Sequence, residues 1–375
     1  MSEFDSIALI NTEKILTAFQ KHRVSDSHFA PSTGYGYNDP GRDVLDAVFA
    51  GVMGTEDAIV RASFASGTHA IACALKAVCP DGGYWSLTGE PYDTLRGIMP
   101  YFVIESGQIA NRLAQTAPDR NAVSDRPSAF FIQRSRGYSD RKALSVADVN
   151  VLIAKVRAFS DAPIVVDNCY CEFVEAEEPS NADLIAGSLI KNPGGGLASA
   201  GGYIAGTRAL VDKAAEWLTV PGMGREVGCS LGQNRLLFQG LFLAPHVVAQ
   251  ALKTAVFCAG AMRHLGFSVS PLPQEARYDI IQMISFGNRE KLLSFTAGIQ
   301  KGSPVDSFAR PEPWAMPGYD DEVVMAAGTF IQGASIELSC DGPLREPFAA
   351  YMQGGLTYEA GRLGVLTAAA ELLGL

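Results

Sequence analysis

The stretch that decides the reading is Ala182 to Gly206, ADLIAGSLIKNPGGGLASAGGYIAG, in which one lysine, Lys191, follows an apolar run and precedes three glycines. Asp183-Leu184-Ile185-Ala186 predicts a buried strand, and Gly194-Gly195-Gly196 leaves the backbone bare against whatever lies beside it. A lysine placed there sits in a cramped, ligand-lined position. An isolated lysine at a strand end more often carries its charge out to solvent on its long stem, so its neighbours must decide between the two.

The whole chain has 375 residues, 47% hydrophobic and 19% charged. It is long enough for two core-bearing units and has the composition of an ordinary soluble globular protein. A net charge of −10, with no Lys/Arg cluster, argues against a nucleic-acid or anionic-membrane surface. Apolar stretches such as Gly240 to Gln250 are interrupted by Pro245 and His246, so no membrane span is expected. The N-terminus MSEFDSIALINTEK lacks the basic and apolar regions of a secretory signal, which points to the cytoplasm. Seven irregularly spaced cysteines read as reduced thiols rather than a disulfide framework. Cys169 and Cys171 form a C-x-C with no second pair at zinc spacing, so no metal is expected.

Along the chain, Asn11 to His22 predicts an N-terminal helix and Pro31 to Arg42 an aromatic, rigid loop. A helix over Asp43 to Val52 leads to a strand at Ala58-Ile59-Val60 and a further helix over His69 to Val78. Strand and helix then alternate: strands at Trp85 to Leu87, Tyr101 to Ile104, Ala129 to Gln133 and Ile164 to Asp167, with a helix over Val146 to Phe159. Asp183 to Leu189 and Gly201 to Ala205 add strands, and Thr207 to Leu218 a helix. This alternation implies an α/β fold with a largely parallel sheet. A smaller second unit is expected from the helix Pro245 to Leu265, the strand Asp279 to Phe286, and the helices Lys291 to Gln300 and Arg362 to Leu373. Ser303 to Gly318 reads as a long Pro-rich loop.

Ser66-Gly67-Thr68 lies between a strand and a helix start, where free backbone N–H groups and hydroxyls suit a phosphate. One helix end contributes only about 0.3–1 kcal/mol toward an exposed anion, so Ser188, three residues before Lys191, is a candidate further donor. Asp167 ends the strand Ile164-Val165-Val166, at the edge where ligands of open α/β sheets collect. A carboxylate there can pair with a protonated ring nitrogen, and Tyr92, after another strand, can stack on a planar ring. Each residue alone also suits a cap, a turn or plain packing. Together, a phosphate loop, a strand-end aspartate and a lysine preceded by Ser at minus three resemble the order used by pyridoxal phosphate enzymes of the aspartate aminotransferase fold, and that resemblance implies Lys191 as the covalent anchor of an aldehyde cofactor. A P-loop is excluded because the glycines follow the lysine, and no Gly-x-Gly-x-x-Gly follows a strand.

Longer stretches carry a closer resemblance. Ser32-Thr-Gly-Tyr-Gly-Tyr37, Ser66-Gly-Thr-His-Ala70, Pro91-Tyr-Asp-Thr-Leu95, Gln133-Arg-Ser-Arg-Gly-Tyr-Ser139, Val166-Asp-Asn-Cys-Tyr170 and Gly187-Ser-Leu-Ile-Lys-Asn-Pro-Gly-Gly-Gly196 resemble the methionine γ-lyase/aluminium-resistance family of pyridoxal phosphate (PLP) proteins. So do Gln239 to His246, Met316-Pro-Gly-Tyr319, Ile336-Glu-Leu-Ser339 and Gln353 to Tyr358. The resemblance implies the aspartate aminotransferase fold type I, with a large mixed, mostly parallel sheet domain and a smaller α+β C-terminal domain. The expected division is an N-terminal helix and arm at 1–50, a PLP-binding domain at 51–243 and a small domain at 244–375.

The resemblance also implies a covalent bond from Lys191 to PLP, a ring-nitrogen partner at Asp167, phosphate contacts from Ser66, Gly67, Thr68 and Ser188, and ring stacking by Tyr92. A homodimer or homotetramer is implied, with Tyr35, Tyr37 and Arg42 as candidates to reach the neighbour's site, Tyr37 and Arg42 at its phosphate and Tyr35 at its substrate. The chain departs from the family in three places. Cys171 stands where a glycine is expected, the segment Leu95 to Phe130 is short, and Glu337 stands where cystathionine lyases carry the arginine that clamps the substrate carboxylate. Arg136, Arg134 and Arg345 are the candidates for that clamp, Arg136 first because it lies in an irregular Gly-containing stretch. The implied activity is elimination of a Cβ or Cγ substituent, a thiol first, from an amino acid. A halide or acyloxy leaving group, or PLP binding without turnover, are the alternatives.

Overall fold

The structure is a computed structural model that describes residues 3–114 and 127–375. The runs with no polar alternation become the centre of a sheet, because a strand covered on both faces has nowhere to place polar side chains. β1 (Asp57–Arg61), β2 (Tyr84–Ser86), β3 (Tyr101–Val103), β4 (Ala129–Gln133), β5 (Ile164–Asp167), β6 (Leu184–Ser188) and β7 (Gly202–Gly206) form one seven-stranded sheet in the order β1-β7-β6-β5-β4-β2-β3. The pairs from β3 through β6 are parallel, and β7 runs antiparallel to both β6 and β1.

Around this sheet lie α1 (Glu3–Lys21), α2 (Pro40–Met53), α3 (Gly67–Val78), α4 (Ile109–Ala114), α5 (Val146–Arg157) and α6 (Arg208–Leu218). Leu45 and Phe49 of α2, Ile71 and Ala74 of α3, Val149 and Ile153 of α5 and Val211 of α6 bury their apolar sides in one core with the strands. Part of the short segment Leu95 to Phe130, at 115–126, lies outside the described residues.

The sequence predicts a helix starting at Pro245, but α7 runs from Asn234 to His264, 31 residues, with Pro245 in its interior. A proline there removes one helix hydrogen bond and costs about 3 kcal/mol. Leu241, Val248 and Leu252 are almost fully buried along the same helix, and each such side chain contributes about 1.5–3 kcal/mol, so packing outweighs the break. By length and composition α7 could cross a membrane, unlike the interrupted stretch expected from the sequence, yet most of its apolar length is buried inside the molecule.

The expected domain boundary at 243/244 falls within α7. Its first half packs in the large core and its second half, through Ala255, Cys258 and Met262, in a second core. That second core belongs to an antiparallel sheet of β8 (Ser268–Ser270), β9 (Gln282–Ser285), β10 (Val323–Ala326), β11 (Ser339–Pro343) and β12 (Ala349–Gln353), ordered β10-β11-β12-β9-β8. Helices α8 (Arg289–Lys301) and α9 (Tyr358–Leu373) pack on it. The Pro-rich Ser303 to Gly318 segment contains no helix or named strand, and delivers Tyr319 to the junction of the two sheets.

Candidate active site

The parallel strands end together, with Gln133 of β4 paired to Asp167 of β5, and Asp167 paired to Ala186 of β6. Lys191 lies just past β6, half-buried, with its Nζ 3.9 Å from the centre of the Tyr170 ring. Burial opposes its charge, but Cys169, Tyr170 and Asp167 outweigh that and hold its pKa above the ordinary lysine range. Asp167 is itself buried; burial raises its pKa, with Lys191 and the Cys169 N–H opposing. Its Oδ1 accepts that N–H at 3.0 Å. A cation brought to Asp167 would therefore cancel part of the field that holds the proton on Lys191.

The glycines after Lys191 have a specific packing role. A Cβ on Gly195, at φ +54°, would lie 2.3 Å from the Gly240 carbonyl oxygen, and a Cβ on Gly240 would lie 2.2 Å from the Gly194 carbonyl oxygen. Two stretches of backbone, the turn after Lys191 and helix α7, thus touch directly.

Ser66 caps α3, its Oγ accepting the His69 N–H at 3.2 Å, so its hydroxyl hydrogen stays free to donate. The Gly67 and Thr68 N–H groups in the first turn have no partner within the helix. A Cβ on Gly67 would come within 2.7 Å of the Ser188 Cβ, so the bare glycine lets the helix start lie against the end of β6. Thr68 Oγ1 is 2.8 Å from Thr94 Oγ1. Tyr92 is half-buried, its hydroxyl 2.6 Å from that of Tyr319 and its ring beside Tyr138. Burial first, and then Tyr170 and Tyr319, hold its pKa well above the ordinary phenol value.

These groups share one cavity of about 190 Å³, lined by Ser66, Gly67, Thr68, Tyr92, Ser188 and Lys191 from the large sheet and by Tyr319, Met325, Ser339 and Asp341 from the small one. A deeper chamber of about 30 Å³ shares Thr68, Tyr92, Tyr170 and Lys191 and reaches Asp167. The arrangement can hold a flat, phosphorylated carbonyl compound: anion donors at the α3 start, a buried carboxylate at the far side, and an amine between them.

The remaining sequence candidates lie elsewhere. The buried Arg134 guanidinium binds Asn168 Oδ1 at 2.9 Å, the Leu144 carbonyl at 3.1 Å, Glu175 and Glu178. Arg136 is also buried, spent on the carbonyls of Asp140 and Arg141 and on Ser270. Arg345 pairs with Asp321 at 2.7 Å and lines a separate cleft. Lys191 is therefore the one cation among the described residues lining the cavity. Arg42 donates to the carbonyls of Gly36 at 3.0 Å and Gly228 at 3.1 Å, bracing the loop whose Tyr35 and Tyr37 rings stand out in solvent, 69% and 57% exposed.

Glu337 does not face the cavity as a clamp would. Its carboxylate accepts the Phe330 N–H at 2.9 Å and the Ile331 N–H at 3.0 Å, tying down a loop. Cys171, expected in a tight turn, has no left-handed backbone; that conformation falls on Tyr170, φ 72°, and Phe173, φ 63°. The Cys171 thiol is buried and donates to the Cys169 carbonyl at 3.5 Å.

The family model for methionine gamma-lyase matches residues 1–373. The chain belongs to the methionine gamma-lyase family. It is 44% identical to the uncharacterized protein YnbB of Bacillus subtilis (strain 168) over 392 aligned residues, covering 99% of this chain and 92% of the relative. A crystal structure from Clostridium acetobutylicum, described as a candidate cystathionine β-lyase involved in aluminium resistance, matches with a TM-score of 0.92 and 46% identity, covering 99% of this chain and 91% of that one. Cystathionine γ-lyase from yeast superposes with a TM-score of 0.60 at 16% identity, over 95% of this chain and 98% of that one, which shows the fold alone. The fold is fold type I, as the resemblance implied.

Sequence reading gave no role to Tyr138, Tyr170, Tyr319, Ser339 or Asp341. The first four lay inside quoted stretches. Asp341 carried a local signal, since it and Ser339 flank Cys340 on a strand, a polar alternation that asks what its polar face meets.

One buried acid near the site makes the fold pH-sensitive. Glu172 accepts from the Tyr203 hydroxyl at 2.8 Å, while its other oxygen has no partner. Burial pushes its pKa from 4.5 up to about 8. In the folded chain it keeps a proton that the unfolded chain gives up, so its contribution is complete below the unfolded value and is lost as pH rises through about 8. Glu172→Gln is expected to remove that decline and to exceed the wild type in stability, by a few kcal/mol at most, at about pH 9 but not at about pH 4. Urea midpoints at both pH values check this; parallel pH profiles for the two proteins would refute it.

Proposed function

We propose that this protein is a cytoplasmic PLP-dependent lyase that eliminates a Cβ or Cγ substituent, a thiol first, from an amino acid. The observation that carries the reading is the half-buried Lys191 in one cavity with the α3 start, while Asp167 closes the deeper chamber behind it. Family membership and the Clostridium acetobutylicum relative support the same chemistry.

Ser66, Gly67, Thr68 and Ser188 would hold the phosphate, Asp167 the ring nitrogen, Tyr92 the ring face, and Lys191 the aldehyde carbon. When bound, PLP withdraws electrons from the substrate's Cα–H bond. Lys191, displaced by the substrate's amine, takes the Cα proton on Nζ, a contribution of roughly 10²–10⁴ in rate. The carbon–sulfur bond then breaks with its electron pair passing to sulfur. The Tyr92–Tyr319 hydroxyl pair, protonated because burial raises both pKa values, supplies the proton with which the thiol leaves. The unsaturated amine released afterwards hydrolyses to ammonia and a keto acid.

A homodimer or homotetramer is part of this proposal. The exposed Tyr35 and Tyr37 rings can reach a second copy, whereas Arg42 is committed to bracing their loop. The test is to purify the protein, record the yellow absorbance of a lysine-bound aldehyde, and supply L-cystathionine, L-methionine and γ-substituted amino acids. Thiol, ammonia and keto acid in equal amounts are expected. A colourless protein that does not take up PLP would overturn the proposal.

A further inference from the structure

The small-sheet wall of the cavity breaks the rule that a buried sheet face is apolar. On β11, Cys340 points into the second core, while Ser339 and Asp341, one residue to either side, line the cavity. Next to Asp341 across the sheet are Met325 and Tyr351. Asp341 is only 6% exposed, and Gln353 Nε2 donates to its Oδ2 at 2.8 Å. Among the described residues no cation forms an ion pair with it. Ser339 Oγ, 4% exposed and in the same wall, has no hydrogen-bond partner.

A carboxylate held in a low-dielectric wall with no cation in ion-pair contact, Lys191 acting on it only from elsewhere in the cavity, is costly to fold around. An unpartnered hydroxyl beside it adds to that cost. Neither group serves the fold, since apolar residues would fill the same face more cheaply. Nor does either serve an anion: the cofactor phosphate and the substrate carboxylate both carry negative charge, which Asp341 would repel. What completes this wall is a hydrogen-bond-donating cation.

We propose that Asp341, with Ser339, is the specificity site for the distal end of the substrate, and that it selects amino acids whose side chain carries a protonated amine beyond the bond that breaks. The proposal rests on the lyase reading above and names its substrate class. A thioether with an amine at its far end fits the wall; an amino acid with a plain alkyl end leaves Asp341 and Ser339 unpaired. Burial pushes the Asp341 pKa up to about 6, with the Tyr138 hydroxyl first, then Gln353 and the Lys191 charge opposing, so the group is ionised at neutral pH and ready to meet a cation.

The experiment uses the PLP-loaded protein and two amino acids with unbranched chains and no leaving group, L-lysine and L-norleucine, which differ at the terminal ammonium. Dissociation constants are read by calorimetry and by the change in cofactor absorbance. The wild type is expected to bind L-lysine about tenfold or more tightly than L-norleucine, the worth of one charge-assisted hydrogen bond. Asp341→Asn is expected to bring the ratio close to one, Asp341→Glu to retain a preference for L-lysine, and Ser339→Ala to lower it partway. A wild type without preference overturns the proposal even if Asp341→Asn does not fold, and so does a preference that survives in a folded Asp341→Asn. Failure of the lyase reading looks different: the wild type then shows no cofactor absorbance before any ligand is added.

Discussion

Lys191→Ala is expected to lower turnover of any amino-acid substrate by about 10⁴ or more, because it removes both the proton acceptor at Cα and the covalent tether. The reason lies in how completely the structure isolates this amine. Among the described residues lining the cavity, no other side chain is a lysine or arginine, so nothing nearby can take over. Tyr92 and Tyr170, whose pKa values burial raises, hold their protons. The measurement is single-turnover keto-acid formation by wild type, Lys191→Ala and Lys191→Arg, with the cofactor absorbance recorded for each. Lys191→Arg keeps the charge and loses the nucleophile, so it is expected to be as inactive as the alanine variant. Residual activity within tenfold of wild type in either variant would remove Lys191 from the chemistry.

Gly195→Ala is expected to destabilise the fold by roughly 2–5 kcal/mol, the sum of a left-handed backbone penalty and forced overpacking. The added methyl would meet the Gly240 carbonyl oxygen at 2.3 Å and the Ala244 nitrogen at 3.1 Å. Both are backbone atoms of a helix and cannot swing aside. Such a loss is a large share of the ~5–15 kcal/mol typical of a folded protein. Gly222 is the control: its φ is also positive, +86°, but nothing lies within 4 Å of a built Cβ, so Gly222→Ala should cost only about 1–2 kcal/mol. Urea midpoints of the two variants check the difference. Equal losses would show that the contact between the Lys191 turn and α7 is not tight. Because Gly195 is four residues from Lys191, its variant should also hold the cofactor less firmly.

Much of the fold was legible because its signals are local. The runs at 129–133, 164–167 and 184–188 are free of polar side chains up to their last residues, and only a strand covered on both faces tolerates that; β4, β5 and β6 formed there. Ser66 before a helical pattern announced a cap, and it caps α3. The start of α7 was not legible, since Pro245 is a helix breaker locally and only the burial of Leu241, Val248 and Leu252 between two cores outweighs it.

The site divides along the same line. By itself the sequence determined the order of Ser66-Gly67-Thr68, Tyr92, Asp167, Ser188 and Lys191, because strand ends and helix starts are written in neighbouring residues and a parallel sheet brings them to one edge. Only the tertiary structure decided what faces them. Arginine is long and satisfies its donors wherever carbonyls and carboxylates converge, so Arg134, Arg136 and Arg345 turned to partners that no spacing along the chain reveals. Tyr319 and Asp341 come from a segment more than 100 residues beyond Lys191, and the packing of the small sheet against the large one carries them into the cavity.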